Sequence, residues 1–324
     1  MPYDRSAFIT RTPVEGVCFD YMQGEEHFIA DKIFTPKAVD KKTVKVFQAD
    51  TSKLRNVDTR NKTNAEAPLI DEQLFATNVT LEEHKLAKEV DPVDVRDADI
   101  PEMVAEGRAA RVVTHSLLLA REILAATAAT TAANYPTALK ATLASGSRWN
   151  ESGGTPEADK ITADAALINA CGAKANAMAM DWATYAKLRT SPEFRDRCKF
   201  TQAGPVTKEA MMAFFDVEYL NIGRARYNTA VEGAAVSISS VWSTFVLAYV
   251  YNPSPAIESV SYGHMYLMKA PFWSKTSEDP KRNGPAGSMK RVEVGTEYKL
   301  GPGYVVSSSD SDFSAGYLWT TAVS

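Results

Sequence analysis

Cysteine is scarce in this chain of 324 residues: there are three, Cys18, Cys171 and Cys198, odd in number and widely spaced. A disulfide framework calls for an even set in a small secreted chain, so the pattern fits free thiols in a reducing compartment. An excess of positive charge is also missing, with 36 Lys and Arg against 40 Asp and Glu and a net charge of −4. That argues against a dedicated nucleic-acid binder, which carries a basic patch; a weak DNA-facing surface is still compatible with it. Long uncharged apolar runs are absent. The longest apolar tract, Leu117–Ala133, contains Arg121 and Glu122 and is rich in Ala and Thr, and it reads as too short and too charged to span a bilayer. The N-terminal segment does not combine a basic start with an apolar stretch, so no secretory signal is expected. These absences predict a soluble protein made in the cytoplasm, with no membrane partner.

The motifs of common catalytic sites are missing as well. Gly301-Pro302-Gly303 lacks the third glycine and the following helix of a dinucleotide-binding turn. There is no P-loop, no paired-cysteine zinc spacing, no metalloprotease helix and no G-x-S-x-G elbow. Asp91, Asp94, Asp97 and Asp99 crowd together, but without the glycine and glutamate positions of a calcium loop. Asp310-Ser311-Asp312 fails the same test, because Ala315 and Thr321 stand where that loop needs Gly and Glu. Four histidines, His27, His84, His115 and His264, share no motif spacing, and His115 reads as a packed side chain. The sequence therefore predicts no enzyme: catalytic residues none, cofactor-binding residues none, metal ligands none, and no cofactor.

What the chain does have is ordinary globular material, 45% hydrophobic and 23% charged, in an unusual order. Residues 1–27 form a polar arm, and Phe28–Phe34 reads as a short turn docking on a core and stopped by Pro36. Strand-like segments Thr43–Gln48 and Leu74–Lys88 flank Ala49–Asn64, in which residues 50–64 carry four basic and two acidic side chains and almost nothing apolar. The first strand alternates poorly and reads as paired on one edge only. Such a hairpin has too little apolar surface to offset its ordering entropy in water. We expect it to become ordered by lying on another copy of the chain.

Asp99-Ile100-Pro101-Glu102 has the form of a helix start, with a capping carboxylate and proline in the first turn. A helix over Glu102–Asn134, stopped by Pro136, would span about 50 Å at ~1.5 Å per residue. Val104, Ala105, Arg108, Val112, His115, Leu119, Ile123 and Ala126 approximate its apolar stripe. Ser145–Thr155 reads as a linker. A second helix is predicted over Ala158–Ala173, with Ile161, Ala165, Leu167, Ile168 and Cys171 as its apolar positions. Then follow strand Ala175–Met180, a helix from Asp181-Trp182 to Leu188, a turn from Ser191-Pro192-Glu193 and helix Thr207–Phe215. Strands Val217–Ile222, Val236–Ser239 and Thr244–Tyr251 complete an alternation typical of an α/β unit. Tyr262-Gly263-His264-Met265-Tyr266 reads as strand or interface filler. The tail, Lys290–Val323, is β-rich, with alternation over Arg291–Glu297 and a turn at Gly301-Pro302-Gly303.

This order of elements resembles the major capsid proteins of tailed bacteriophages, which share the Hong Kong 97 fold. The resemblance runs from Phe28 to Leu318. It rests on Phe28–Pro36, Lys41-Lys42, Val44–Phe47, Thr59-Arg60, Glu66-Ala67 and Val90–Pro101. Downstream it rests on Arg197–Thr201, Gly204–Thr207, Tyr227-Asn228-Thr229, Ser254-Pro255 and Gly316-Tyr317-Leu318. These are structural signatures without catalytic content. The resemblance implies an α+β, Hong Kong 97-like capsid fold: an N-terminal arm at 1–37 and an extended β-hairpin loop at 38–90. A peripheral domain with a long spine helix at 91–150 is completed by about 276–300. An α/β axial domain at 151–275 is completed by about 301–324.

It further implies self-assembly into hexamers and pentamers of an icosahedral head around double-stranded DNA, with portal, scaffold and decoration proteins as partners. Contact with the packaged DNA would be weak and non-specific. The short N-terminus suggests that no scaffolding-like extension is present and that a separate scaffold exists. Lys53 and Lys62 lie in the loop, but no crosslinking motif accompanies them, so no isopeptide link is predicted. The competing readings are an encapsulin-like shell around a protein cargo and a cytoplasmic hydrolase with a site built from dispersed residues.

Overall fold

The computed structural model describes residues 27–49, 60, 74–92, 102–199, 207–231, 233–254, 260–284, 287–303 and 313–323. The expectations for the arm at 1–26, most of the charged loop, the acidic run 94–99 with its helix start, and the 310–312 segment lie outside the described residues.

The chain enters through a single helical turn, α1 (Ala30–Ile33), and strand β1 (Phe34–Val39). Ile29, Ala30, Ile33 and Phe34 are all buried, so the segment docks on a core as expected. Pro36 does not stop it. It lies within β1, opposite Met265 of the parallel partner β11 (Gly263–Met268), at the edge of a sheet. An edge strand tolerates a residue without an N–H because it forms a ladder on one side only.

Next comes a two-stranded antiparallel ribbon, β2 (Thr43–Ala49) with β3 (Leu74–Thr80). The pairing of β2 on one edge agrees with its poor alternation. The predicted strand Leu74–Lys88 is two strands: after Leu81 the chain leaves the ribbon, and β4 (Glu82–Val90) pairs with β13 (Gly287–Pro302). Leu81 makes the break because its side chain is buried against Val39, Val46 and Tyr266, while its N–H bonds Lys42 O at 2.8 Å. The base of the ribbon is thereby anchored to the chain's own core.

The first sheet runs β1-β11-β13-β12, where β12 is Trp273–Gly284, and β4 also lies on β13. Alternate residues of β13, Val292, Val294, Thr296 and Tyr298, are buried, as the alternation predicted. Val292 and Val294 pack with Ala109, Ala110, Val113, Leu117 and Leu118 of α2 (Glu102–Thr130), the long helix. Its buried face continues through Thr114, Arg121, Glu122, Ala125, Ala126 and Ala129. The predicted stripe is out of phase, since Arg108 is exposed and Val112 is 44% exposed. Alanine carries little hydrophobic weight, yet here alanines let the helix approach the sheets closely. By length and composition, Ala105–Thr130 meets the criterion for a membrane span, contrary to the shorter tract read from sequence. Half of its most apolar window is buried within the fold, and Arg121 and Glu122 have partners there.

Of the two readings for 262–266 the strand holds: β11 lies in the first sheet, and Tyr262, Met265 and Tyr266 are core residues. At Gly301-Pro302-Gly303 the strand β13 runs through Pro302, and Gly303 N–H bonds Tyr262 O at 3.0 Å, so no turn forms there.

The second sheet runs β5 (Lys140–Thr142), β14 (Gly316–Thr320), β10 (Phe245–Tyr249), β6 (Ala177–Asp181), β7 (Tyr219–Gly223). Its helices are α3 (Pro156–Cys171), α4 (Trp182–Leu188), α5 (Pro192–Lys199) and α6 (Lys208–Phe215). Asp181 caps α4 through Ala183 N–H at 2.9 Å and Thr207 caps α6 through Ala210 N–H at 3.3 Å, which fixes both starts where the sequence puts them. One face of this sheet, with Met178, Met180, Val246, Ala248 and Trp319, packs on Leu167, Met211 and Phe215 of the helices. The other, with Ala177, Ala179, Leu247, Tyr249 and Leu318, meets α1 and the end of α2. Burial on both faces explains why these strands read as continuous apolar runs.

Two expectations fail here. The 145–155 segment is not a free linker: Trp149 is buried, its N–H bonds Ala322 O at 2.9 Å and its indole bonds Asp159 at 2.6 Å. On α3, Pro156, Lys160, Ala163, Leu167 and Cys171 face inward, while Ile161 and Ile168 face out. Lys160 goes in because Asp164, one turn on, accepts both its hydrogen bonds at 2.6 Å. A last ribbon, β8 (Arg226–Asn228) with β9 (Ile238–Ser240), forms no ladder with either sheet among the described residues, but the Ser240 hydroxyl donates to Asp181 of β6 at 2.5 Å.

Candidate assembly surfaces

The centre that joins the parts is Glu122 on α2. Its carboxylate accepts from Ile29 N–H at 2.8 Å, Ala30 N–H at 2.9 Å and the Trp242 indole N–H at 2.7 Å, all buried. One side chain thus binds the incoming arm, the long helix and the turn before β10. Burial pushes its pKa up, and the three N–H donors pull it back down. Beside it, the buried Arg121 donates to Asp31 of α1 at 2.9 Å. The sequence signal for this junction is the charged pair Arg121-Glu122 inside an otherwise apolar tract, which by itself argues only against a membrane span.

A second junction is aromatic. The hydroxyls of Tyr135 and Tyr262 lie 2.6 Å apart, and Tyr135 O–H also lies 2.6 Å from Ala129 O. Tyr249 O–H donates to Lys32 O at 2.9 Å and accepts from Asn221 at 2.7 Å. Burial raises all three phenols, that of Tyr262 well above its usual range. These are rigid structural links, with no nucleophile or base among them.

No catalytic, cofactor or metal residues were predicted, and among the described residues no group of three His, Cys, Asp or Glu side chains stands close enough to hold a metal. The histidines lie apart. His84 stacks on Tyr298 at 4.4 Å, His115 lies beside Phe28 at 5.9 Å, and His264 is buried in β11. Cys171 is a buried free thiol whose pKa is raised by burial, which makes it unreactive. Cys18 and the side chain of Cys198 lie outside the described residues.

What the surface offers instead is exposed apolar side chains in clusters. In the segment that joins β8 to β9 Val231 is 80% and Val236 73% exposed, and Ile238 at the start of β9 is 67% exposed; on α3 Ile161 is 63% and Ile168 51% exposed. Val112 and Leu124 on α2 are nearly half exposed, as are Tyr219 and Trp182, the latter beneath Arg224 at 4.6 Å. Single exposed apolar residues are ordinary, but clusters of them mark surfaces that meet another molecule.

No family model matches the chain. It is 24% identical over 251 residues, 73% of this chain and 76% of the other, to the major capsid protein of Burkholderia phage BcepMu. Among solved structures it resembles a phage-related protein of Bordetella bronchiseptica RB50, with 22% identity, 96% and 97% of the two chains covered and a TM-score of 0.72. A protein of Microbacterium phage Oxtober96 matches at 12% identity over 91% of both chains, with a TM-score of 0.55. The chain is therefore similar, in fold and in sequence, to the Hong Kong 97-like major capsid proteins of phages.

Proposed function

We propose that this chain is the major capsid protein of a tailed-phage head, a structural subunit of the virion and not an enzyme. Copies assemble into hexamers and pentamers of an icosahedral shell that encloses double-stranded DNA. In this reading the first sheet with α2 forms the peripheral part, the second sheet with α3–α6 the axial part, and the β2–β3 ribbon opens the extended loop. Portal, scaffold and decoration proteins are its further partners.

The observation that carries the reading is the match to a phage major capsid protein over three quarters of both chains. Physical chemistry supports it. Two ribbons form no ladder with the main sheets, and apolar side chains lie exposed beside one of them, at Val231, Val236 and Ile238, and on α3, at Ile161 and Ile168. Burying them at about 25 cal/mol per Å² is a driving force for association. The test is to sediment the purified protein and treat the particles with nuclease. Shells that protect double-stranded DNA from infected cells are expected. Shells holding only a protein cargo would favour a storage compartment, and a persistent monomer of about 35 kDa would refute any shell.

A further inference from the structure

Resting on that reading, we propose where the packaged double-stranded DNA touches this subunit. The contact is a basic face at one end of the second sheet, formed by Arg224 and Arg226 after β7 and by Lys187 and Arg189 of α4 around the exposed ring of Trp182.

Strand pairing builds this face. β6 and β7 are parallel, with Asp181 opposite Gly223, so the residues that follow the two strands, Trp182 and Arg224, emerge side by side. The Arg224 guanidinium lies 4.6 Å from the centre of the Trp182 ring system. Along α4 the Trp182 and Tyr185 rings are 5.6 Å apart, and the Arg189 guanidinium lies 6.0 Å from the Tyr185 ring. The four side chains form one row with a guanidinium at each end. A cation over an aromatic face is held by the ring quadrupole, so both arginines are placed before any partner arrives. The backbone beneath them is fixed as well: Arg224 N–H bonds His27 O at 3.3 Å, and Val241 N–H bonds Ala225 O at 3.0 Å. Arg226 opens β8 beside them, and Trp182, Arg189, Arg224 and Arg226 are all exposed.

Charge selects the partner. The whole chain carries a net charge of −4, and a shell of such subunits repels a polyanion packed inside it. DNA can approach closely only where the surface is locally basic. Segments 182–190 and 222–230 together hold four basic residues and no acidic one. Asp181, which precedes the first of them, is buried and accepts from Ala183 N–H and the Ser240 hydroxyl, so its charge is turned inward. Three of the four cations are arginines, whose planar fork matches a phosphate. From Trp182 to Arg189 the helix advances about 10 Å, and a duplex carries one charge per ~1.7 Å, so several phosphates come within reach at once. A contact of this kind reads the backbone and carries no sequence preference. It also orients the subunit, with this end of the second sheet toward the interior of the shell.

Anisotropy of a labelled, random-sequence DNA duplex, titrated with the dispersed full-length chain at several salt concentrations, reads the contact. With four cations engaged, log K should fall against log salt with a slope of about −3.6, a loss of roughly 100-fold between about 50 and 200 mM salt. Changing Arg189→Gln, Arg224→Gln and Arg226→Gln together leaves Lys187; the slope should shrink to about −1, with binding at the lowest salt at least tenfold weaker. A triple variant that binds like the parent would overturn the contact, and so would a parent that does not bind at the lowest salt. If the triple variant fails to fold, Arg226→Glu alone, at an exposed strand position, should still lower the slope by about one; an unchanged slope would refute the contact. Variants that keep full DNA affinity but no longer assemble would assign the face to carboxylates of a neighbouring copy and overturn the DNA contact. Sedimentation of the parent tests the shell reading separately. Shells from the parent, with undiminished DNA binding by the triple variant, would sink the contact alone; a parent that stays monomeric would refute the shell reading whatever the titration gives.

Discussion

Replacing Glu122 by alanine removes the acceptor shared by Ile29 N–H, Ala30 N–H and the Trp242 indole, and leaves three buried donors without a partner. An orphaned buried donor costs about 1–3 kcal/mol. Relief from burying a carboxylate offsets part of that, because burial already opposes its charge. The net loss expected for Glu122→Ala is roughly 4 kcal/mol. Glu122→Gln keeps the shape and the acceptor that serves Ile29 and Trp242, but turns an amide N–H₂ toward Ala30 N–H; its cost should be about 2 kcal/mol. Urea unfolding of the dispersed protein, followed by circular dichroism, reads both values. Hydrogen exchange at the Ile29 and Ala30 amides locates the effect, with protection falling at these two positions first. An alanine variant within about 1 kcal/mol of the parent, with both amides still protected, would refute the role of Glu122 as the link between arm and helix.

Burial lowers the pKa of His264 from 6.5 to about 4, so between these values the folded state binds fewer protons than the unfolded. Its contribution is full above pH 6.5 and is lost as pH falls toward 4, about 3 kcal/mol in all; His264→Gln should flatten that part of the stability–pH curve, and an unchanged slope would contradict it. Gly295→Ala should destabilise by about 1–3 kcal/mol, because the new Cβ would lie 2.4 Å from the Trp273 ring; a melting temperature equal to the parent's would mean the ring yields freely. Deleting residues 50–64 should leave a folded chain or capsomer that builds no particles; normal heads would refute the role given to that loop.

How far the sequence reveals the fold depends on the kind of signal. Starts of helices were legible where a single polar side chain makes the cap, as at Asp181 and Thr207. Strands buried on both faces were legible as apolar runs, and Val292 and Val294 as alternation. Periodicity did not say which of two apolar faces meets the core. On α2 the true contact is made largely by alanines, and on α3 Lys160 turns inward with Asp164 while Ile161 and Ile168 turn out. The division of Leu74–Lys88 at Leu81 depends on a partner strand two hundred residues away, which no local pattern encodes. The surfaces assigned here to assembly were invisible for the same reason: an isoleucine in a helix reads as core until the structure shows it facing solvent.

Electron microscopy of the overexpressed chain tests the central claim most directly. Closed shells, or rings of five and six subunits, are the predicted images. A field of dispersed single chains at high concentration, folded and unassociated, would contradict the account.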